Sequence, residues 1–142
     1  MERNAMNLLK AAIMALAAVP MLTGAMDVIL GASIFSISGS ALGEAASKDP
    51  VVDSQVRFWG AIWFSFGIML FIAARDLRAH ALWFRILCAG LFLGGVGRLI
   101  SAFAAGLPPA PLMIATLVEL VVMPLIALWH SKTLVRRQTE LR

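Results

Sequence analysis

Four long stretches of the chain are almost free of charge, and short polar or Gly/Pro-rich segments separate them. The first runs from about Met6 to Gly31, interrupted by Lys10 near its start and Asp27 near its end. Val51 to Ala74 form the second, and within it Phe58 to Ala74 hold no charged residue. Ala81 to Ala105 form the third, with Arg85 near one end and Arg98 toward the other. Leu112 to His130 form the fourth, with Glu119 inside and Pro124 marking a kink. Each is close to the length of about 20 apolar residues that a helical membrane crossing requires. The separators carry recognisable stop and start chemistry. Asp49-Pro50 reads as an N-cap followed by a first-turn proline. Arg75 to His80 reads as a short hairpin connection, and Gly106-Leu107-Pro108-Pro109-Ala110-Pro111 cannot continue a helix. Ser36 to Asp49 reads as an outer loop, and Lys132 to Arg142 as a basic cytoplasmic tail.

Composition sharpens this picture. The chain is 61% hydrophobic and 14% charged, with a mean hydropathy of +0.88. A soluble domain is nearer half apolar and a quarter charged, so this is the balance of a membrane protein. A cleavable signal peptide competes for the first stretch, because Lys10 precedes an apolar core and Thr23-Gly24-Ala25 resembles a cleavage site. Apolar character resumes after Asp27 through Phe35, which favours a retained span.

The basic residues then set orientation. With both termini in the cytoplasm, nine fall on that side (Arg3, Lys10, Arg75, Arg78, Arg85, Lys132, Arg136, Arg137 and Arg142) against Lys48 and Arg57 outside. Trp59, Trp83 and Trp129 fall at span ends, as interfacial anchors do. The predicted fold is an all-α integral membrane four-helix bundle of one domain, with antiparallel neighbours and both termini cytoplasmic. The net charge of +4 is spread over the ends and a short loop, which excludes a nucleic-acid footprint.

The stretch Gly94-Gly95-Val96-Gly97-Arg98 poses the chemical question. A phosphate-binding loop needs a preceding strand and a GxGxxG or Walker pattern, and neither occurs. Read as helix, Gly90, Gly94, Gly97 and Ser101 share one face, where small residues let a neighbouring helix approach. Pro20, Gly24, Asp27 and Gly31 form a related stripe in the first span, Arg57, Gly60, Phe64 and Gly67 in the second, and Thr116, Glu119, Met123 and Ile126 in the fourth. Arg98 precedes the Gly106 turn, and Glu119 follows Pro111, by intervals that put both roughly 10–12 Å below the outer end. A lone charge there costs on the order of 3 kcal/mol, which pairing largely offsets. Asp27 and Arg57 lie nearer the same end, with Asp53 one turn before Arg57. Asp27, Arg57, Arg98 and Glu119 sum to zero charge, and together with Ser101 they are the expected polar cluster. Such a cluster either binds something or only locks helix register.

Asp53…Arg57-Phe58-Trp59-Gly60, Ala74-Arg75, Gly94 to Ser101, Gly106-Leu107-Pro108 and Glu119 with Pro124 together resemble a small bacterial four-helix membrane family, domain of unknown function 4345. The resemblance covers nearly the whole chain and implies an inner-membrane bundle. It implies no established reaction or ligand. It also implies that Arg57, Arg98, Ser101 and Glu119 occupy the family's polar positions.

The remaining chemistry is sparse. His80 and His130 belong near the cytoplasmic face, without a carboxylate or thiol at ligand spacing, so neither a metal nor a cofactor is expected. Cys88, mid-helix, reads as a packing residue, and a single cysteine excludes an internal disulfide. No catalytic set is apparent. Three functions stay open: a bacterial inner-membrane protein binding a lipid-like or amphipathic small molecule at the outer cluster; an accessory subunit of a larger complex, or a homo-oligomer, packed through glycine faces; and a dimeric proton-coupled carrier using Glu119 or Asp27.

Overall fold

The computed structural model describes residues 2–37 and 43–140, and contains no strand among them. Helix α1 (Glu2–Leu30) ends in a 3-10 turn (Gly31–Ser33) and continues as the single turn α2 (Ile34–Ile37). A short helix α3 (Gly43–Lys48) precedes α4 (Pro50–Arg75), α5 (Ala81–Ala105) and α6 (Ala110–Leu117). A π-helical turn (Val118–Val122) joins α6 to α7 (Met123–Glu140). Four helical segments are long and apolar enough to cross a membrane: Met6–Ile37, Pro50–Arg75, Ala81–Ala105 and Ala110–Thr133.

Local chemistry sets the ends of these elements. Asp49 Oδ1 accepts from the Val51 and Val52 amides at 2.8 and 3.2 Å, satisfying two of the first-turn donors of α4 that have no partner within the helix. Gly106 closes α5 with φ 98°, a conformation side-chain-bearing residues avoid. Pro111 sits in the first turn of α6, where its missing N–H costs nothing. Part of the segment read as an outer loop is helical, because α3 combines good helix formers with a Glu44–Lys48 pair at 2.7 Å, one turn apart. Residues 38–42 of that segment lie outside the described residues, as do residues 141 and 142 of the expected tail. The rest of the tail continues α7 as helix.

The chain divides into two compact units, Met1–Ala11 with Ala73–Arg142, and Ala12–Ile72. In the first, α5 packs on the π turn and on α7. Its core includes Met6, Leu9, Leu77, Phe84, Leu87, Cys88, Met123 and Ile126. Two polar links tie its segments. Lys10 Nζ donates to the Arg75 carbonyl at 2.9 Å, and the fully buried His130 donates from Nε2 to the Leu77 carbonyl at 2.9 Å. The His130 ring also meets Phe84 edge-on, with centroids 4.8 Å apart.

In the second unit, α1 and α4 approach through small residues. A β-carbon on Gly24 would lie 2.5 Å from the Phe64 amide nitrogen and 2.7 Å from the Gly60 carbonyl oxygen. One on Gly67 would lie 2.9 Å from the Met21 amide nitrogen. Close backbone approach of this kind gives van der Waals contact where lipid tails remove the usual hydrophobic drive between helices. Trp63 Nε1 donates to Thr23 Oγ1 at 2.8 Å across the same helix pair. Large apolar side chains such as Leu22, Ile29, Leu93, Ile100, Phe103 and Leu128 are exposed. Apolar surface on that scale suits lipid rather than water.

Candidate functional site

The most informative charged pair lies in the unit that contains α5 and the π turn. Pro124 has no N–H, so the helix cannot make the ordinary bond to the carbonyl four residues earlier. The turn before it widens instead, and the Met123 amide donates to the Val118 carbonyl, five residues back. Glu119 sits on this widened turn with its side chain 8% exposed. Gly95 faces it: a β-carbon there would lie 2.9 Å from Glu119 Cβ and 3.0 Å from Leu120 Cγ. Arg98, three residues on from Gly95 and 39% exposed, brings Nε to 3.1 Å from Glu119 Oε2. The contact is electrostatic, because no donor is aligned on that buried oxygen. Arg98 carries five N–H donors, more than one carboxylate oxygen at 3.1 Å can accept.

Gly94 flanks this pair, its β-carbon position 4.0 Å from Glu119 Oε2. Gly97 has nothing within 4 Å of its own. Gly90, Gly94, Gly97 and Ser101 are all exposed, so the small-residue face of α5 is open while Gly95 fills the contact with the π turn. Gly95 escaped the sequence reading because it lies about 100° around the helix from the stripe. Its three-residue offset to Arg98 was the available signal.

Arg57 has a different role, in the Ala12–Ile72 unit. Its partner carboxylate is Asp53, at 2.8 Å from Nε, and Nη1 donates to the Val28 and Ile29 carbonyls at 2.6 and 3.1 Å. Asp53 Oδ1 in turn accepts from the Ala32 amide at 2.9 Å. These groups satisfy the last-turn carbonyls of α1 and the amide that follows, a C-cap built from another helix. Gly31, at φ 56°, makes the turn, and a β-carbon on it would strike Asp53 Oδ1. The i,i+4 spacing of Asp53 and Arg57 signalled the pair. Asp27 is half-buried with its Cβ toward Gly60, and it has no ion partner among the described residues. The cations of the expected four-residue cluster are therefore each paired inside their own unit.

Between the spans, Asp76 Oδ1 accepts from the Arg78 and Ala79 amides, both at 3.1 Å. Those bonds, aided by the charges of Lys10 and His80, hold its carboxyl below the ordinary aspartate value. His80 Nδ1 lies 2.9 Å from the Asp76 carbonyl oxygen. His130 Nδ1 is buried without a partner, and Cys88 is buried too. Among the described residues no three His, Cys, Asp or Glu side chains could hold a metal ion.

An all-helical chain with four membrane-length apolar helices and a charged pair within two of them defines a class rather than an activity. Residues 8–130 match the model of domain of unknown function DUF4345, and the chain belongs to that family. No curated protein and no solved structure matches it.

Proposed function

We propose that this is a multi-pass protein of the bacterial inner membrane that binds a lipid-like or amphipathic molecule with an anionic head beside Arg98. Its spans alternate in direction as a four-helix bundle, with both termini cytoplasmic, as the distribution of basic residues supports. One observation carries the binding reading: a part-exposed guanidinium, well inside a membrane-length helix, has more donors than the one carboxylate oxygen beside it can accept. Unsatisfied donors in hydrocarbon are costly, so an anionic head with an apolar tail complements this position. The bare backbone at Gly94 and Gly97 leaves room for it.

The test is thermal unfolding of the purified protein in maltoside micelles with added phosphatidylglycerol or phosphatidylcholine. Phosphatidylglycerol should raise the midpoint, and Arg98→Gln should remove that rise while keeping helicity. Equal shifts by both lipids, or a rise that survives Arg98→Gln, would refute the reading. A second reading, an accessory subunit or homo-oligomer seated on Gly90, Gly94, Gly97 and Ser101, is favoured by the openness of that face. Under it a partner or second copy co-purifies in mild detergent and is lost with Gly94→Leu.

A further inference from the structure

Charge balance at the same pair extends the proposed binding function and rests on it. The Arg98 guanidinium and an ionised Glu119 together make a neutral pair. A monoanionic head docking on Arg98 leaves the assembly one negative charge in excess, in a region that penalises net charge. Within α5, α6, the π turn and α7, Glu119 is the acid placed beside Arg98 to absorb that excess. Arg98 is the one charged group of α5 in contact with Glu119; Cys88 and Arg85 lie two or more turns back along that helix. Helix α6 has no titratable residue, and on α7 the first is His130, three turns beyond Glu119. Glu119 Oε2 has no aligned donor of its own and depends on the guanidinium that the ligand would recruit.

We infer that the site takes up one proton, on the Glu119 carboxylate, for each anionic head that binds Arg98. The ion pair is exchanged for an arginine–ligand pair and a neutral carboxylic acid, so charge is conserved at the site. The proton comes from water and returns to it on release. The chemistry required is a monoanionic head on an apolar tail, from a bilayer lipid or a free amphiphile.

Isothermal titration decides this, with decyl sulfonate added to the protein in maltoside micelles and phosphatidylglycerol presented in nanodiscs as the lipid arm. Both heads stay ionised from about pH 5 to about pH 9, so any pH dependence belongs to the protein. Wild-type affinity should fall by about tenfold per pH unit on the alkaline side. Buffers of different ionisation enthalpy should report one proton taken up per anion. The arm that shows this behaviour identifies the source. Glu119→Gln should bind at every pH with no proton uptake, and Arg98→Gln should not bind. Flat wild-type affinity without proton uptake, with binding still lost in Arg98→Gln, overturns the inference and leaves the proposed function standing. Absence of Arg98-dependent binding in both arms overturns both. The wild-type proton count needs no variant, so a misfolded substitution cannot hide the answer.

Discussion

Gly24→Ala tests the physical basis of the α1–α4 contact. The added methyl would lie 2.5 Å from the Phe64 amide nitrogen, and ordinary contact begins at 3.4 Å, so the helices must part by about 0.9 Å. Both nearest atoms belong to backbone and cannot rotate away. A gap of about that size forfeits a quarter to a half of the dispersion energy of each contact it opens. Overpacking of this kind costs about 1–3 kcal/mol, while replacing a mid-helix glycine by alanine returns about 0.5–1 kcal/mol. The net loss should be about 1 kcal/mol at the centre of these ranges and no more than about 2.5 kcal/mol. It can be read as an earlier unfolding midpoint when dodecyl sulfate is titrated into maltoside micelles, followed by circular dichroism and tryptophan fluorescence. Gly97→Ala is the matched control, because nothing lies within 4 Å of its β-carbon position. It should leave stability unchanged or raise it by up to about 1 kcal/mol. A Gly24→Ala protein as stable as wild type, or a Gly97→Ala protein weakened to the same degree, would refute the reasoning.

Two further perturbations address the polar ends. Gly31→Ala places a side chain at φ 56° and against Asp53, so it should cost about 1–2 kcal/mol from the left-handed backbone alone. The same titration measures it, and an unchanged midpoint would show that the Asp53–Arg57 cap is dispensable. Asp76 has a lowered pKa in the folded chain, so its ionised form stabilises the fold above the unfolded value near 3.8. That contribution disappears as pH falls through the lower folded value. The gap in thermal midpoint between wild type and Asp76→Ala should therefore narrow below about pH 4. A gap that is constant down to strong acid would show that the ionised carboxyl contributes nothing to this turn.

The four membrane-length segments could be read from the order of residues, because transfer into hydrocarbon depends on local composition and length. Helix limits at Asp49 and Gly106 were legible for a similar reason, since each acts on backbone groups within a few bonds; the last helix instead starts at Ala110, two residues earlier than expected, because a first-turn Pro111 loses no helical bond. Counting along the spans also put Arg98 and Glu119 at matching depth. Choice of partner was not legible. Asp27 and Asp53 were both available to Arg57, and the same-helix carboxylate took it while the guanidinium reached the end of α1. Gly95 rather than Gly94 or Gly97 met Glu119, and His130 found a carbonyl 53 residues away. Such pairings depend on which atoms come within about 3 Å once helices distant in sequence are packed, and a rotation of a fraction of a turn exchanges one partner for another.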